Sequence, residues 1–197
     1  LLGNENHGRW LLAPKSDQAI STRRYDGTTF NLVTNWVTPH GEVEITELMP
    51  HGNRRADLIR RVRGVRGTVD MHQELRIRFG YANAMPWVRQ VPEKKDHAIV
   101  AIAGPDAVVV RGPKLSSTDH AHVSDFAVSE GETVDLTMTW YPSHRRVPAR
   151  YNIRRAIQKS TRWWNDWTSA CDVEQSQYRE QVTRSLLFLR ALTHEDT

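Results

Sequence analysis

The stretch VRGTVDMHQELRIRFGY, residues 65–81, decides the fold. Every odd position from 69 to 81 except Gln73 is apolar: Val69, Met71, Leu75, Ile77, Phe79 and Tyr81. The even positions carry Asp70, His72, Glu74, Arg76 and Arg78, with Gly80 alone departing from the pattern. Period two over this length predicts a long strand with one buried face and one wet face. At about 3.3 Å per residue, such a ribbon belongs in a large antiparallel sheet.

The flanking sequence repeats the signal. In TTFNLVTNWV, residues 28–37, Phe30, Leu32 and Trp36 alternate with Asn31 and Asn35. A Pro39-His40-Gly41 turn follows, then a second run in which Val43, Ile45 and Met49 alternate with Glu42, Glu44 and Thr46. Two such runs across a short Pro/Gly connection predict a β-hairpin. AIVAIAG and DAVVVRG, residues 98–104 and 106–112, are shorter, nearly all-apolar runs parted by a Gly104-Pro105 turn. GETVDLTMTWYP, residues 131–142, alternates Val134, Leu136, Met138 and Trp140 with Thr133, Asp135, Thr137 and Thr139. With no helical pattern between them, about nine or ten strands over residues 1–148 predict a mainly β fold of two packed antiparallel sheets.

The period then changes. Ile153, Ala156, Ile157, Trp164 and Trp167 recur at three- and four-residue steps after Pro148, predicting an amphipathic linker helix within 149–173. Tyr178, Val182, Leu186, Leu189 and Leu192 predict a second helix over about 174–193. A helix so apolar needs a large surface to lie against. If none covers it, exposed Leu186, Leu189 and Leu192 would drive self-association.

Composition narrows the function. The 197 residues carry a net charge of +4 and one cysteine. Cys171 therefore excludes an intrachain disulfide and a four-thiolate zinc site, fits a cytoplasmic location, and reads as an inert thiol. Basic pairs such as Arg23-Arg24, Arg60-Arg61 and Arg145-Arg146 are scattered, so no nucleic-acid stripe forms. No apolar run approaches the roughly 18 residues of a membrane span.

No cofactor or metal site is expected. His120 and His122 lack a nameable third ligand and read as loop histidines, as do His40 and His51 before their turn glycines. Neither a GxxxxGK[ST] nor a GxSxG motif occurs. No catalytic pair can be chosen, because Glu42, Glu44, Glu47, Asp70 and Glu74 all fall on strand faces. Arg76 and Arg78 share the polar face of the ribbon, where a cross-strand salt bridge competes with contact to a sugar hydroxyl. Trp87 reads either as a packed ring or as a stacking platform for sugar. Arg78, Tyr81 and Trp87 are thus the substrate-binding candidates.

The order of five segments resembles the N-terminal β-sandwich domain of bacterial family 15 glycoside hydrolases, the glucoamylase and trehalase-like enzymes. They are GRWLLAP (8–14), STRRYDGTTFNLVTNWVTPHGEVEITELMP (21–50), LIRRVRGVRGTVDMHQELRIRFGYANAMPWV (58–88), VSEGETVDLTMTWYP (128–142) and STRWWNDWTSACDVEQSQYREQVTRSLLFLRALTHEDT (160–197). The resemblance implies a galactose-mutarotase-like super-sandwich leading through helices into an (α/α) toroid. Residues 174–197 would begin that toroid, and both catalytic glutamates would lie beyond Thr197. It further implies that the carbohydrate substrate and the missing catalytic domain are the partners. Glu47-Leu48, where relatives tend to carry Asp-Phe, keeps the apolar position. The alternative is a stand-alone carbohydrate-binding or scaffolding β-sandwich.

Overall fold

The computed structural model describes residues 3–51, 55–93, 97–150, 152–171 and 177–193. Arg54, Lys94, Lys95 and the expected second-helix start at 174 lie outside them. After a short 3-10 helix at Glu5–His7, the chain forms β1 (Arg9–Pro14), β2 (Ile20–Tyr25), β3 (Leu32–Thr38), β4 (Gly41–Leu48) and β5 (Ala56–Arg76). Then come β6 (Trp87–Pro92), β7 (His97–Ala103), β8 (Asp106–Gly112), β9 (Ser116–Thr118), β10 (Ala121–Ser129) and β11 (Thr133–Pro142). Two helices close it, α1 (Ile153–Ala170) and α2 (Arg179–Leu192).

All eleven strands join one open antiparallel sheet that folds into two layers. The hinge is β5, 21 residues long. Its first half pairs with β4 and β11 in the large layer, ordered β2-β3-β4-β5-β11-β8-β7-β6. Its second half pairs with β1 and β10 in a smaller layer that ends in β9. The two expected sheets are therefore layers sharing one strand.

The switch is a bulge. Glu42 lies opposite Arg66 but Val43 opposite Gly64, so Val65 is the extra residue. One inserted residue inverts strand parity. Before it, Arg60, Val62 and Gly64 face between the layers; after it, Val69, Met71, Gln73 and Leu75 do. Two glycines permit the crossing. Gly67 has φ +61°, and a Cβ on Gly64 would collide with the Ser129 carbonyl. The β10–β11 turn closes over the bulge, with Gly64 N–H donating to Glu132 O at 3.0 Å and Glu130 N–H to Gly67 O at 2.8 Å.

The core lies between the layers. Val43, Ile45, Val62 and Leu136 of the large layer meet Val69, Met71 and Val128 of the small one. Gln73, the polar break in the apolar alternation, is buried there, and Trp10 Nε1 donates to its Oε1 at 3.2 Å. The alternating ribbon does not reach Tyr81. The strand ends at Arg76, and residues 80–82 turn with three consecutive positive φ values at Gly80, Tyr81 and Ala82. Likewise β4 ends at Leu48, which is buried, whereas Met49 is exposed.

The outer face of the large layer is covered too. Ala98, Val100, Ala107, Val109 and Tyr141 pack beneath the segment bearing Val147. Two arginines tie that segment down: Arg111 Nη2 donates to Pro148 O at 2.7 Å and Arg55 Nη1 to Ala149 O at 3.2 Å. The chain then enters α1, capped by Asn152 Oδ1 accepting from Arg155 N–H at 3.0 Å. Ile153 and Ala156 pack on Leu48 and Ile59.

Candidate functional site

Two surface features follow from this architecture. The first lies where the layers part along edge strand β6. There β5 ends, the 80–82 turn crosses to the large layer, and β9 and β10 close the opposite wall. The groove of about 320 Å3 has Ile77, Ile99 and Leu115 in its apolar lining, and Arg78, Arg89, Gln90, Ser117, His120 and His122 as polar groups. Trp87, the first residue of β6 and 65% exposed, borders it. Along β6, Val88 packs into the interlayer core while Val91 packs on the outer face. The same alternation directs Gln90 inward and Trp87 toward the rim.

Arg78 and Trp87 thus border one groove, whereas Tyr81, 90% exposed on the turn, is absent from its lining. The expected salt bridge across strands takes another form. Arg76 Nε donates to Glu74 Oε1 at 2.7 Å, two residues back on its own strand. Arg78 Nη1 instead donates to the carbonyls of Ile77 at 2.8 Å and His120 at 3.4 Å. His120 sits at φ +55° beside Asp119 at φ +40°, two consecutive non-glycine residues in the left-handed region. Burial pushes the imidazolium pKa of His122 down, so this ring is neutral at pH 7 and offers both a donor and an acceptor.

The histidines, read from sequence as bland loop residues, are therefore part of the groove. Their separation of more than forty residues from Arg78 hid this. Among the described residues, no group of three or more His, Cys, Asp or Glu is placed to hold a metal ion.

The second feature is apolar. The large layer outruns the small one, leaving a groove of about 770 Å3 that includes Leu32, Leu58, Met49 and Trp140 and is bordered by Trp164 and Leu192. At its inner end, Arg60 Nε pairs with Glu47 at 2.7 Å and stacks over Trp10 at 4.5 Å. Burial lowers the Arg60 pKa and the Glu47 charge partly restores it.

The helices form a third layer at this end. Trp164 meets Phe30 at 5.7 Å, His51 at 4.8 Å and Trp163 at 4.8 Å between ring centroids. Phe188 of α2 stands edge-on to Tyr25 and Phe30. Arg184 donates to Thr29 O and Gly27 O, each at 2.9 Å, and caps the Tyr25 ring. The side of α2 that docks carries Arg184, Leu187 and Phe188. Of the apolar stripe named from the sequence, Val182, Leu189 and Leu192 are exposed and Leu186 is half-buried. Cys171, half-buried, directs its Sγ to Trp167 O at 3.4 Å.

Among the described residues, no helix is long and apolar enough to cross a membrane. Neither of these two grooves, nor the two lined around Glu93, has more than one carboxylate among the described residues.

No family model matches the chain. Its sequence is 23% identical over 219 aligned positions to a trehalase of Mycolicibacterium smegmatis, covering 96% of this chain and 32% of that protein. A solved structure described as a kojibiose phosphorylase from human microbiome aligns over 90% of this chain and 27% of its own, with a TM-score of 0.39 and 6% identity. The chain is thus similar, weakly but along nearly its whole length, to a trehalase, and it spans about a third of that relative.

Proposed function

We propose that this chain is the N-terminal β-sandwich domain of a larger, cytoplasmic glycoside hydrolase of the family 15 kind, acting on α-glucosidic bonds such as that of trehalose. The sheet and helices serve as a bracket for a catalytic domain that follows in the longer protein. One observation carries the reading: similarity to a trehalase runs through 96% of this chain yet takes up 32% of that enzyme. The uncovered apolar stripe of α2, ending beside the apolar groove, supports it. In this reading the longer enzyme inverts configuration, one glutamic acid protonating the glycosidic oxygen and one glutamate activating water. Both groups belong to the following domain.

Purified 197-residue chain is expected to leave trehalose and maltooligosaccharides intact, while the protein extended along its reading frame hydrolyses one of them. Turnover by the short chain overturns the reading. A second reading, a stand-alone carbohydrate-binding sandwich, draws on Arg78 and Trp87 bordering one groove. It requires the extended protein to be inactive as well, so the same assay separates the two.

A further inference from the structure

The groove at the β6 edge is lined by Arg78 and Arg89 and by no carboxylate. Several arginines elsewhere are paired: Arg24 with Glu44, Arg61 with Asp135, Arg76 with Glu74, Arg111 with Glu93. Arg78 has no carboxylate partner among the described residues, and none of the groove's lining residues is acidic. Its guanidinium is held by two carbonyls, which fix its position without neutralising it. The left-handed backbone at Asp119 and His120 sets His120 beside it.

An apolar floor strengthens any charge interaction made above it. Gln90, Ser117 and the neutral ring of His122 add donors suited to hydroxyl groups. The volume, about 320 Å3, stands at the small end of the roughly 300–1,000 Å3 typical of small-molecule sites.

We propose that this groove binds a saccharide carrying an oxyanion, a phosphate ester or a carboxylate, with Arg78 and His120 holding the anion and Gln90, Ser117 and His122 the sugar hydroxyls. This goes beyond the proposed bracket role and does not depend on it, because it is tested on the chain by itself.

The test is isothermal titration calorimetry at low salt with glucose 6-phosphate, glucuronate, glucose and inorganic phosphate. A charge-assisted contact predicts that one of the two anionic sugars binds about tenfold or more tightly than both glucose and inorganic phosphate. Which of them does so identifies the anion. Arg78→Gln is expected to remove that preference. Because Arg78 also holds the His120 loop, His120→Gln serves as a second variant and is expected to weaken the anionic sugar several-fold. Side-chain NMR adds a readout on the unmutated chain: the imidazole signals of His120 and His122 shift with the anionic sugar. Equal affinity for glucose and both anionic sugars overturns the proposal. So does inorganic phosphate binding as tightly as the sugar phosphate, the absence of any binding, or binding that leaves both histidine signals unmoved.

Discussion

Trp164→Ala is expected to cost about 3–5 kcal/mol, the range for removing a large buried aromatic side chain. The indole is 3% exposed and lies where the helices meet the large layer. It touches Phe30 from the β2–β3 connection, His51 beyond β4, and Trp163 and Trp167 on its own helix. Few of these neighbours can collapse into the void, since Phe30 is already fixed by Tyr25 and Phe188. Urea unfolding followed by circular dichroism measures the loss. Trp167→Ala, at a half-buried position, is the comparison and should cost clearly less. A loss below about 1 kcal/mol for Trp164→Ala would mean that the helices rest on the sheet without being packed into it.

Glu93→Ala should be nearly as damaging, by about 3 kcal/mol or more at neutral pH, through a different cause. Arg111 is 8% exposed, and its Nε donates to Glu93 Oε1 at 2.8 Å. Arg150 pairs with the other carboxylate oxygen. Removing the carboxylate strands a buried guanidinium that keeps its hydrogen bond to Pro148 O. The segment ahead of α1 also loses the pairing of Arg150 with Glu93. Burial alone would push the Glu93 pKa up, but hydrogen bonds from Arg150 and Arg111 outweigh it and hold the pKa below its ordinary 4.5. A carboxyl whose pKa is lower folded than unfolded contributes its full stability above about pH 4.5 and loses it as pH falls through the folded value. Wild type and Glu93→Gln should therefore differ most at neutral pH and converge as pH falls through the folded value. A difference independent of pH from 7 to 3 would contradict this role for the carboxylate.

The legible part of the fold was the part with one wet face. From Val69 to Ile77 the alternation is unbroken except for Gln73, and every odd side chain there is buried. The first half of β5 carried no such signal because both its faces are covered. Ile59 turns to α1, Val62 to the interlayer core, and Arg60 inward to Glu47 and Trp10. A bulge at Val65 then reverses parity, which no fixed period can report. The helices were readable from their three- and four-residue spacing, but in α2 the apolar side chains ring much of the surface. Spacing alone could not tell the docked side, around Leu187, from the exposed one.

The site was legible only as separate residues. Arg78 and Trp87 could be nominated from chemistry, yet nothing local announces that His120 and His122 join them, since β10 reaches β5 through long-range pairing such as His122 opposite Leu75. Tyr81 stands apart from this groove for a local reason: the ribbon stops at Arg76, and Tyr81 lies exposed on the turn that follows.

Amide hydrogen exchange along α2, Arg179–Leu192, tests the bracket most directly. The short chain and the protein extended along its reading frame are compared under the same conditions. Amides flanking Val182, Leu189 and Leu192 should exchange fast in the short chain, because few apolar contacts hold that side. In the extended protein they should become strongly protected, as the following domain covers the stripe. Identical exchange in both would contradict the account, for the helices would then be holding nothing.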